Sequence, residues 1–355
     1  MRSPVSISNR HALTAAAVFV FLPLTGSRAS SVLDTMNAEV SALCDKSKDA
    51  VVRVHAEFRP VFGSRPLAAT GFFIDNAGRF VTSASLVEGA MTCWVEWQGQ
   101  RFNARLLGTD PLTKLALLQI DADRPTPSLA IGNADELRIG SLVVAMGFPN
   151  NLPSAPSVGF VTGMDIQCGA HVFPVTHIRA GCRLREGQLG GPMLNARGEV
   201  VGLVIAAFGD DQCYAVPMGA VRKICADLAE SGQPQYGYVG LSVTERQCED
   251  DTWHVVVQDV TSNSPAATAG FQDRDILLRI CTNEIRRSAD VLNTMFYHQC
   301  GATISMTFLR DGQTQEVDFV IGHRPVGITP SRLPVIQPNN LTGPVIVPVS
   351  AESPR

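Results

Sequence analysis

Between Ala50 and Val216 the chain consists of short apolar runs separated by turn-forming residues, and this pattern constrains the fold more than any other feature. Each run is long enough for a strand, and glycine, asparagine and proline recur between the runs. The runs are AVVRVHAEF, GFFIDNAGRFVTSA, LALLQI, LVVAMGF and EVVGLVIAA. They predict the strands of a β-barrel or a β-sandwich.

Helical periodicity appears on both sides of these strands. The segment VLDTMNAEVSALCDKS has apolar residues at helical spacing, and MGAVRKICADLAES (218–231) predicts a helix that closes the domain. The turn-rich linker GQPQYG follows this second helix. We therefore assign residues 30–232 to a first domain.

A second domain is predicted over residues 237–323, where five strand patterns surround one helix, ADVLNTMFYHQ. Residues 324–355 contain seven prolines and have no periodicity, so they predict an extended or disordered tail. The whole chain is expected to be mainly β.

Residues 1–29 have the features of a signal peptide. Arg2 and Arg10 precede the 13-residue run ALTAAAVFVFLPL, and small residues at 27 and 29 suit cleavage after Ala29. The run is shorter than the roughly 20 residues that a membrane-spanning helix needs. The expected mature protein is exported, periplasmic or extracellular, and has no membrane span.

Charge and cysteine content limit the partners. The net charge of −4 gives no reason to expect nucleic acid. The nine cysteines form no CxxC motif or Cys/His cluster, so we expect neither a metal nor a cofactor. In an exported protein these cysteines either form disulfides, with at least one left over, or serve as small buried apolar residues.

Four segments in fixed order resemble HtrA-type, trypsin-like serine proteases. They are GFFIDNAGRFVTSASLVEGA, GTDPLTKLALLQI, IGNADELRIGSLVVAMGFP and IRAGCRLREGQLGGPMLNARGEVVGLV. The resemblance implies a trypsin-like double β-barrel. It places Ser85 where the family has its catalytic His, Lys114 where it has Asp, and Leu189 where it has the nucleophilic Ser.

These three exchanges remove the chemistry of the triad. A serine hydroxyl needs a base to take its proton, and the base needs a carboxylate to hold it. Leu189 has no atom that attacks a carbonyl, Ser85 is no base near neutral pH, and Lys114 is a cation. A Ser85–Lys114 dyad would place Ser85 away from the oxyanion hole. The sequence therefore predicts a pseudoprotease.

The resemblance identifies Gly187 and Gln188 as a vestigial oxyanion loop and places Gly181 where the family has an Asp related to specificity. Two interpretations of the loop remain open. The old pocket still binds a peptide carbonyl or carboxylate, or the loop has collapsed and Leu189 fills it.

The second domain resembles an α+β PDZ domain through YVGL, SPAATAGFQDRDILLRI, the helix from Asp290, and GATISMTFLRDG. PDZ domains bind an extended C-terminal peptide as an added strand, with its carboxylate on backbone N–H groups. By this resemblance the predicted groove residues are Tyr238, Val239, Gly240, Leu241, Val243, Leu292, Met295 and Phe296. Leu292 and Met295 are equally interpretable as core residues. Compared with the family, Arg274-Asp275 replaces a Gly-Asp pair and Thr282-Asn283 is expected in place of an Asn-Gly turn.

The predicted function is that of an inactive scaffold or regulator in protein quality control, which binds protein C-termini or unfolded peptides. The resemblance also implies a homotrimer, with related active proteases as further partners. The alternatives are an active serine endopeptidase of the family and a chaperone that holds unfolded chains.

Overall fold

The computed structural model describes residues 31–59, 67–168, 171–209, 211–247 and 252–323. The predicted signal peptide, the Pro-rich tail and Cys248 lie outside the described residues. The chain divides after Glu39 into two units. The first contains the beginning of helix α1 (Val32–Ser47), and the second contains all other elements.

The first barrel is formed by six strands, all paired antiparallel. They are β1 (Val51–Glu57), β2 (Leu67–Phe73), β3 (Arg79–Ser83), β4 (Thr92–Trp97), β5 (Gln100–Asp110) and β6 (Leu115–Ile120). The barrel closes in the order β1-β2-β3-β6-β5-β4. Alternation along each strand places Val52, Val54, Phe80 and Leu118 in its fully buried core. A one-turn helix, α2 (Ala84–Val87), follows β3.

The second barrel has six further strands and is also closed. They are β7 (Leu142–Gly147), β8 (Ala155–Cys168), β9 (His171–Ala180), β10 (Pro192–Asn195), β11 (Val200–Phe208) and β12 (Gln212–Pro217). Their order is β10-β11-β12-β9-β8-β7. Helix α3 (Met218–Ser231) follows and ends at Gly232 in the left-handed conformation. Of the two folds that the strand pattern allowed, the chain adopts barrels.

The second domain is a small sheet with two helices. Its elements are β13 (Gly237–Tyr238), β14 (Leu241–Gln247), β15 (Trp253–Val260), α4 (Pro265–Ala269), β16 (Ile276–Ile280), β17 (Asn283–Glu284), α5 (Ser288–Tyr297), β18 (Thr303–Arg310), β19 (Gln313–Val320) and β20 (Gly322–His323). The sheet order is β14-β15-β16-β18-β19, with β17 paired to β16 and β13 to β20. Strand β14 therefore lies at a sheet edge.

One expected turn lies elsewhere than the sequence suggested. Ile280 pairs with Asn283, so the two turn residues are Cys281 and Thr282, not Thr282 and Asn283. Cys281 takes a positive φ of 50°, which the first position of a tight hairpin requires. The expectation was wrong by one residue because strand register, which local composition does not reveal, decides where a hairpin turns.

The second domain is attached to the barrels by specific polar contacts. The backbone N–H of Thr176 in β9 donates to Asn293 Oδ1 at 2.7 Å, and Asn293 Nδ2 donates to Thr176 Oγ1 at 2.8 Å. In the linker, the Tyr236 hydroxyl donates to Asp110 Oδ2 at 2.5 Å. Helix α5 is thereby held against β9. Within the described part of the chain, none of the helices has the length and apolar character needed to cross a bilayer.

Candidate functional site

The backbone brings the segments of the three predicted triad positions together between the two barrels. The N–H of Ala84 donates to the carbonyl of Lys114 at 2.7 Å, which joins the first two segments. A Cβ added to Gly190 would lie 2.7 Å from the Ser83 nitrogen, so the loop after Leu189 contacts the same place. The three segments therefore meet at the site that the resemblance implied.

The side chains at the first two positions differ in their surroundings. Ser85 lies on α2 with its side chain exposed, whereas its neighbours Ala84, Leu86 and Val87 are buried. Lys114 is half-buried and has a left-handed φ of 58° immediately before β6. In the described residues the Lys114 ammonium has no ion pair. The first two predicted triad positions thus carry a hydroxyl and a cation.

Leu189 is half-buried and packs against the apolar cluster of the second barrel, together with Leu184. Its carbonyl accepts a hydrogen bond from the Thr70 N–H at 3.1 Å. The side chain therefore contributes to packing, and its hydrocarbon atoms offer no nucleophile.

The predicted oxyanion loop, Gly187 and Gln188, has a strict backbone shape. Gly187 has a φ of 90°, and a Cβ there would lie 2.4 Å from the Phe148 carbonyl oxygen, so only glycine fits. The Gly187 carbonyl accepts from Thr70 Oγ1 at 2.7 Å. In the described structure the N–H groups of Gly187 and Leu189 donate to no acceptor. The loop retains two unpaired donors beside an apolar side chain.

Gln188 fixes this loop from within. Its side chain is 3% exposed, and Oε1 accepts from the Arg185 N–H at 2.7 Å. Its Nε2 donates to Ser157 Oγ of β8 at 3.2 Å. The loop is thus tied to itself and to the second barrel, a role that the sequence did not reveal.

Two histidines of the barrels, His55 and His177, have their own partners. His55 in β1 stacks on Trp94 with ring centroids 5.1 Å apart, and burial lowers its pKa. His177 in β9 is fully buried, stacks on Phe173 at 3.9 Å, and contacts the Val175 carbonyl through Nδ1 at 2.7 Å. Both rings are held within their own barrels.

The predicted groove residues of the second domain line one cavity of about 140 Å³. Tyr238, Val239, Gly240, Leu241, Val243, Leu292, Met295 and Phe296 are all among its lining residues. Val243 and Phe296 are nearly fully buried, at 4% and 3% exposed, so both also pack in the core. Leu292 and Met295 are half-buried and line the cavity. Both side chains can therefore pack in the core and also contact a ligand in the groove.

Two backbone features favour an extended ligand at this cavity. Strand β14 has a free edge, and the Glu245 carboxylate accepts from the Ser288 N–H at 2.8 Å, which holds β14 beside α5. Within the described residues, the N–H groups of Val239 and Gly240 donate to no acceptor. The φ of Gly240 is 83°, and a Cβ there would lie 2.2 Å from Ser264 Cβ, so the loop requires glycine.

The first domain also contributes to the cavity, which the sequence did not indicate. Leu112, two residues before Lys114, and Pro174 of β9 lie in its wall. Leu112 is positioned because its N–H donates to the buried Asp110 carboxylate at 3.1 Å. No local pattern signals such a contact, since both residues are far from β14 in the sequence and Leu112 precedes it by more than a hundred positions.

Eight cysteines lie in the described residues, and none of them forms a disulfide there. Cys182 and Cys213 are fully buried in the second barrel, and their thiols contact each other. This contact and burial raise the pKa of Cys213. In the described part of the chain no group of His, Cys, Asp and Glu side chains is suited to a metal ion.

Two protein-family models match the chain. A trypsin-like peptidase domain matches residues 69–203, and a PDZ domain matches residues 237–321. The mainly β architecture is therefore a trypsin-like domain followed by a PDZ domain, as expected.

Curated relatives and a solved structure agree with this assignment. The chain is 27% identical to the "Probable periplasmic serine endoprotease DegP-like" of Chlamydia trachomatis serovar D over 72% of its length and 54% of the relative. It is 28% identical to the "Serine protease Do-like HtrA" of Bacillus subtilis strain 168, over 66% and 58%. It thus spans just over half of these relatives. The structure of HtrA-type protease AlgW with tripeptide superposes with a TM-score of 0.70, at 23% identity, over 80% of this chain and 97% of that one.

Proposed function

We propose that this chain, which contains an HtrA-type trypsin-like peptidase domain followed by a PDZ domain, binds peptides or protein C-termini without cleaving them. The observation that carries the proposal is Leu189 at the place of the nucleophile. A hydrocarbon side chain cannot form an acyl-enzyme, and its packing against the second barrel gives it a structural role instead.

The other two positions support the same conclusion. Neither the exposed hydroxyl of Ser85 nor the cation of Lys114 supplies a base near neutral pH. Triad residues act as a unit, and their loss costs on the order of a million-fold in turnover, with roughly a thousand-fold left from binding and oxyanion stabilisation. Such residual activity would not sustain a protease.

The PDZ groove provides the binding activity. A peptide added to the edge of β14 would pair with backbone groups, and its carboxylate would meet the unpaired N–H groups of Val239 and Gly240. The apolar side chains of Leu292 and Met295 select an apolar C-terminal residue. Bound peptides in a solved relative, HtrA-type protease AlgW with tripeptide, support peptides as the ligand class.

Fluorescence polarisation with labelled peptides tests this proposal. We expect the full chain to bind a peptide that ends in an apolar residue with a free carboxylate, and to bind its C-terminal amide at least about tenfold more weakly. Leu292→Lys should weaken binding, whereas Gln315→Lys, which introduces the same residue at an exposed site of β19, should not. Equal affinity for acid and amide would contradict the proposal.

A second candidate is an active serine endopeptidase, which the names of the relatives favour. Turnover of casein or fluorogenic peptides by the purified chain, abolished by a serine-directed phosphonate, would establish it and overturn the first proposal. The phosphonate adduct should then map to one serine. We expect no turnover above background and no adduct.

The cellular setting belongs to the same proposal. Relatives named as periplasmic support an exported protein. We propose that the chain acts there in protein quality control as a scaffold or regulator. We further propose a homotrimer and related active proteases as partners, which a pull-down from the exported fraction and light scattering would test. A monomer that recovers neither peptides nor proteases would contradict this part.

A further inference from the structure

Outside both sites, a cysteine and a histidine of the PDZ domain form a close pair. Cys281 Sγ lies 3.4 Å from His298 Nε2. Cys281 is the first residue of the turn between β16 and β17, and His298 directly follows α5. Both side chains are half-buried, so solvent reaches the pair while it remains ordered.

His298 has the protonation state that a proton acceptor needs. Burial lowers the pKa of His298, which keeps the imidazole neutral near pH 7. With its proton on Nδ1, Nε2 accepts the hydrogen bond from the Cys281 thiol. A neutral imidazole in this position takes the thiol proton as the sulfur attacks an electrophile.

Six of the seven other described cysteines are placed less favourably for reaction, and the seventh, Cys168, interacts with the Tyr214 hydroxyl. Cys182, Cys213 and Cys225 are buried. Burial raises the pKa of the thiols of Cys44 and Cys93, which lowers their thiolate population. Cys300 donates its thiol to the Tyr236 carbonyl at 3.2 Å. Within the described chain, Cys281 therefore combines solvent access with a base.

We propose that Cys281 is a site of thiol modification by low-molecular-weight disulfides, with His298 as its general base. The sulfur of Cys281 attacks one sulfur of the small disulfide, the S–S bond of the reagent breaks, and a mixed disulfide forms on the protein. The thiol proton passes through His298 Nε2 to the departing thiolate. Cys281 is oxidised and the released small thiol is the reduced product.

The position of the pair connects this modification to the groove. Cys281 and Met295 pack on the same apolar cluster. The carbonyl oxygens of His298 and Met295 lie 3.2 Å and 3.6 Å from where a Cβ of Gly237 would be, so the end of α5 rests against the strand that leads into the Tyr238–Leu241 loop. A substituent on Cys281 exceeds the 3.4 Å gap and displaces the last turn of α5. Given the proposed function, the adduct weakens peptide binding.

Oxidised glutathione, applied to the full chain and followed by peptide mapping, tests the reaction. Cys281 should form the mixed disulfide at least about tenfold faster than Cys44 or Cys93. His298→Gln should slow Cys281 by a similar factor and leave the other two rates unchanged. His298→Asn and a thermal melt of each variant exclude misfolding as the cause. Equal rates at the three cysteines, or no effect of the folded His298 variants, would overturn the proposal.

The structural consequence has its own measurement. Hydrogen exchange of the amides at 295–298 should accelerate in the adduct, return to its starting rate with dithiothreitol, and stay unchanged in Cys281→Ser treated in the same way. Peptide affinity should fall at least about threefold in parallel. If the unmodified chain binds no peptide, the proposed function fails, while mapping and exchange still decide on the thiol site. An adduct with unchanged exchange would refute the displacement of α5.

Discussion

The hydroxyl of Tyr236 and the carboxylate of Asp110 join the interdomain linker to the turn that presents Lys114, across 2.5 Å. Asp110 is fully buried and also accepts from the N–H groups of Leu112 and Thr113 at 3.1 Å and 3.2 Å. Leu112 in turn lines the PDZ cavity. One carboxylate thus fixes the turn that carries Lys114 and part of the groove wall.

Removing the Tyr236 hydroxyl should destabilise this junction. We expect Tyr236→Phe to lower the free energy of unfolding by about 1–3 kcal/mol, because a buried carboxylate loses one of its donors. Urea unfolding followed by tryptophan fluorescence measures the loss. Tyr238→Phe is the control, since that hydroxyl makes no hydrogen bond within the described residues. Equal losses in the two variants would contradict the role of the bond.

Gly190 tests the shape of the vestigial loop. A Cβ there would lie 2.2 Å from the Thr70 carbonyl oxygen, and φ is 84°, so Gly190→Ala combines a backbone clash with strain. Gly140→Ala provides a matched control, with a φ of 89° and no atom within 4 Å of the added Cβ. We expect Gly140→Ala to lower the free energy of unfolding by about 1 kcal/mol. Gly190→Ala should lower it by at least about 2 kcal/mol more. Similar falls in melting temperature for Gly190→Ala and Gly140→Ala would contradict this expectation and show that the loop relaxes around the added methyl group.

Restoring the nucleophile alone should not restore proteolysis. Leu189→Ser supplies a hydroxyl, but the base and the carboxylate are still absent, so turnover should stay at background. Only the triple change Ser85→His, Lys114→Asp and Leu189→Ser should raise the hydrolysis of a fluorogenic peptide above it. Activity of the single variant would mean that another base reaches residue 189. A melting curve of each variant controls for folding.

Stability should fall in mild acid because folding lowers the pKa of two imidazoles. Burial lowers the pKa of His55, against the opposing effect of the Glu96 carboxylate, and burial also lowers the pKa of His298. The unfolded chain, with His pKa near 6.5, then binds more protons than the folded one. The stability that the two neutral imidazoles contribute is complete above about pH 6.5. It is lost as the pH falls through their pKa values in the folded chain. The urea midpoint should therefore fall as the pH is lowered from about 7 to about 5. His55→Gln should reduce this dependence of the midpoint on pH. An unchanged profile would exclude His55.

Much of the architecture could be predicted from local pattern. The helices Val32–Ser47 and Met218–Ser231 agree with the sequence because their apolar residues recur at helical spacing. The strands Leu115–Ile120 and Trp253–Val260 agree because each contains a short apolar run. The long strands β5 and β8 were not recognised, since many of their residues are exposed. Strand β9 was missed although its residues from 172 to 180 are largely buried. The turn at Cys281 was misplaced by one residue because register is set between strands.

The sequence by itself determined the β class and the order of the domains, since residue identity and short-range period are local properties. It also carries the prediction of exchanged triad positions at Ser85, Lys114 and Leu189, which stays a prediction. Only the tertiary structure decided what those residues contact. It turned Gln188 back onto its own loop, brought Leu112 into the PDZ cavity, and set Cys281 against His298. Such contacts depend on the packing of the whole chain, because two residues distant in sequence become neighbours only when every element between them has been placed.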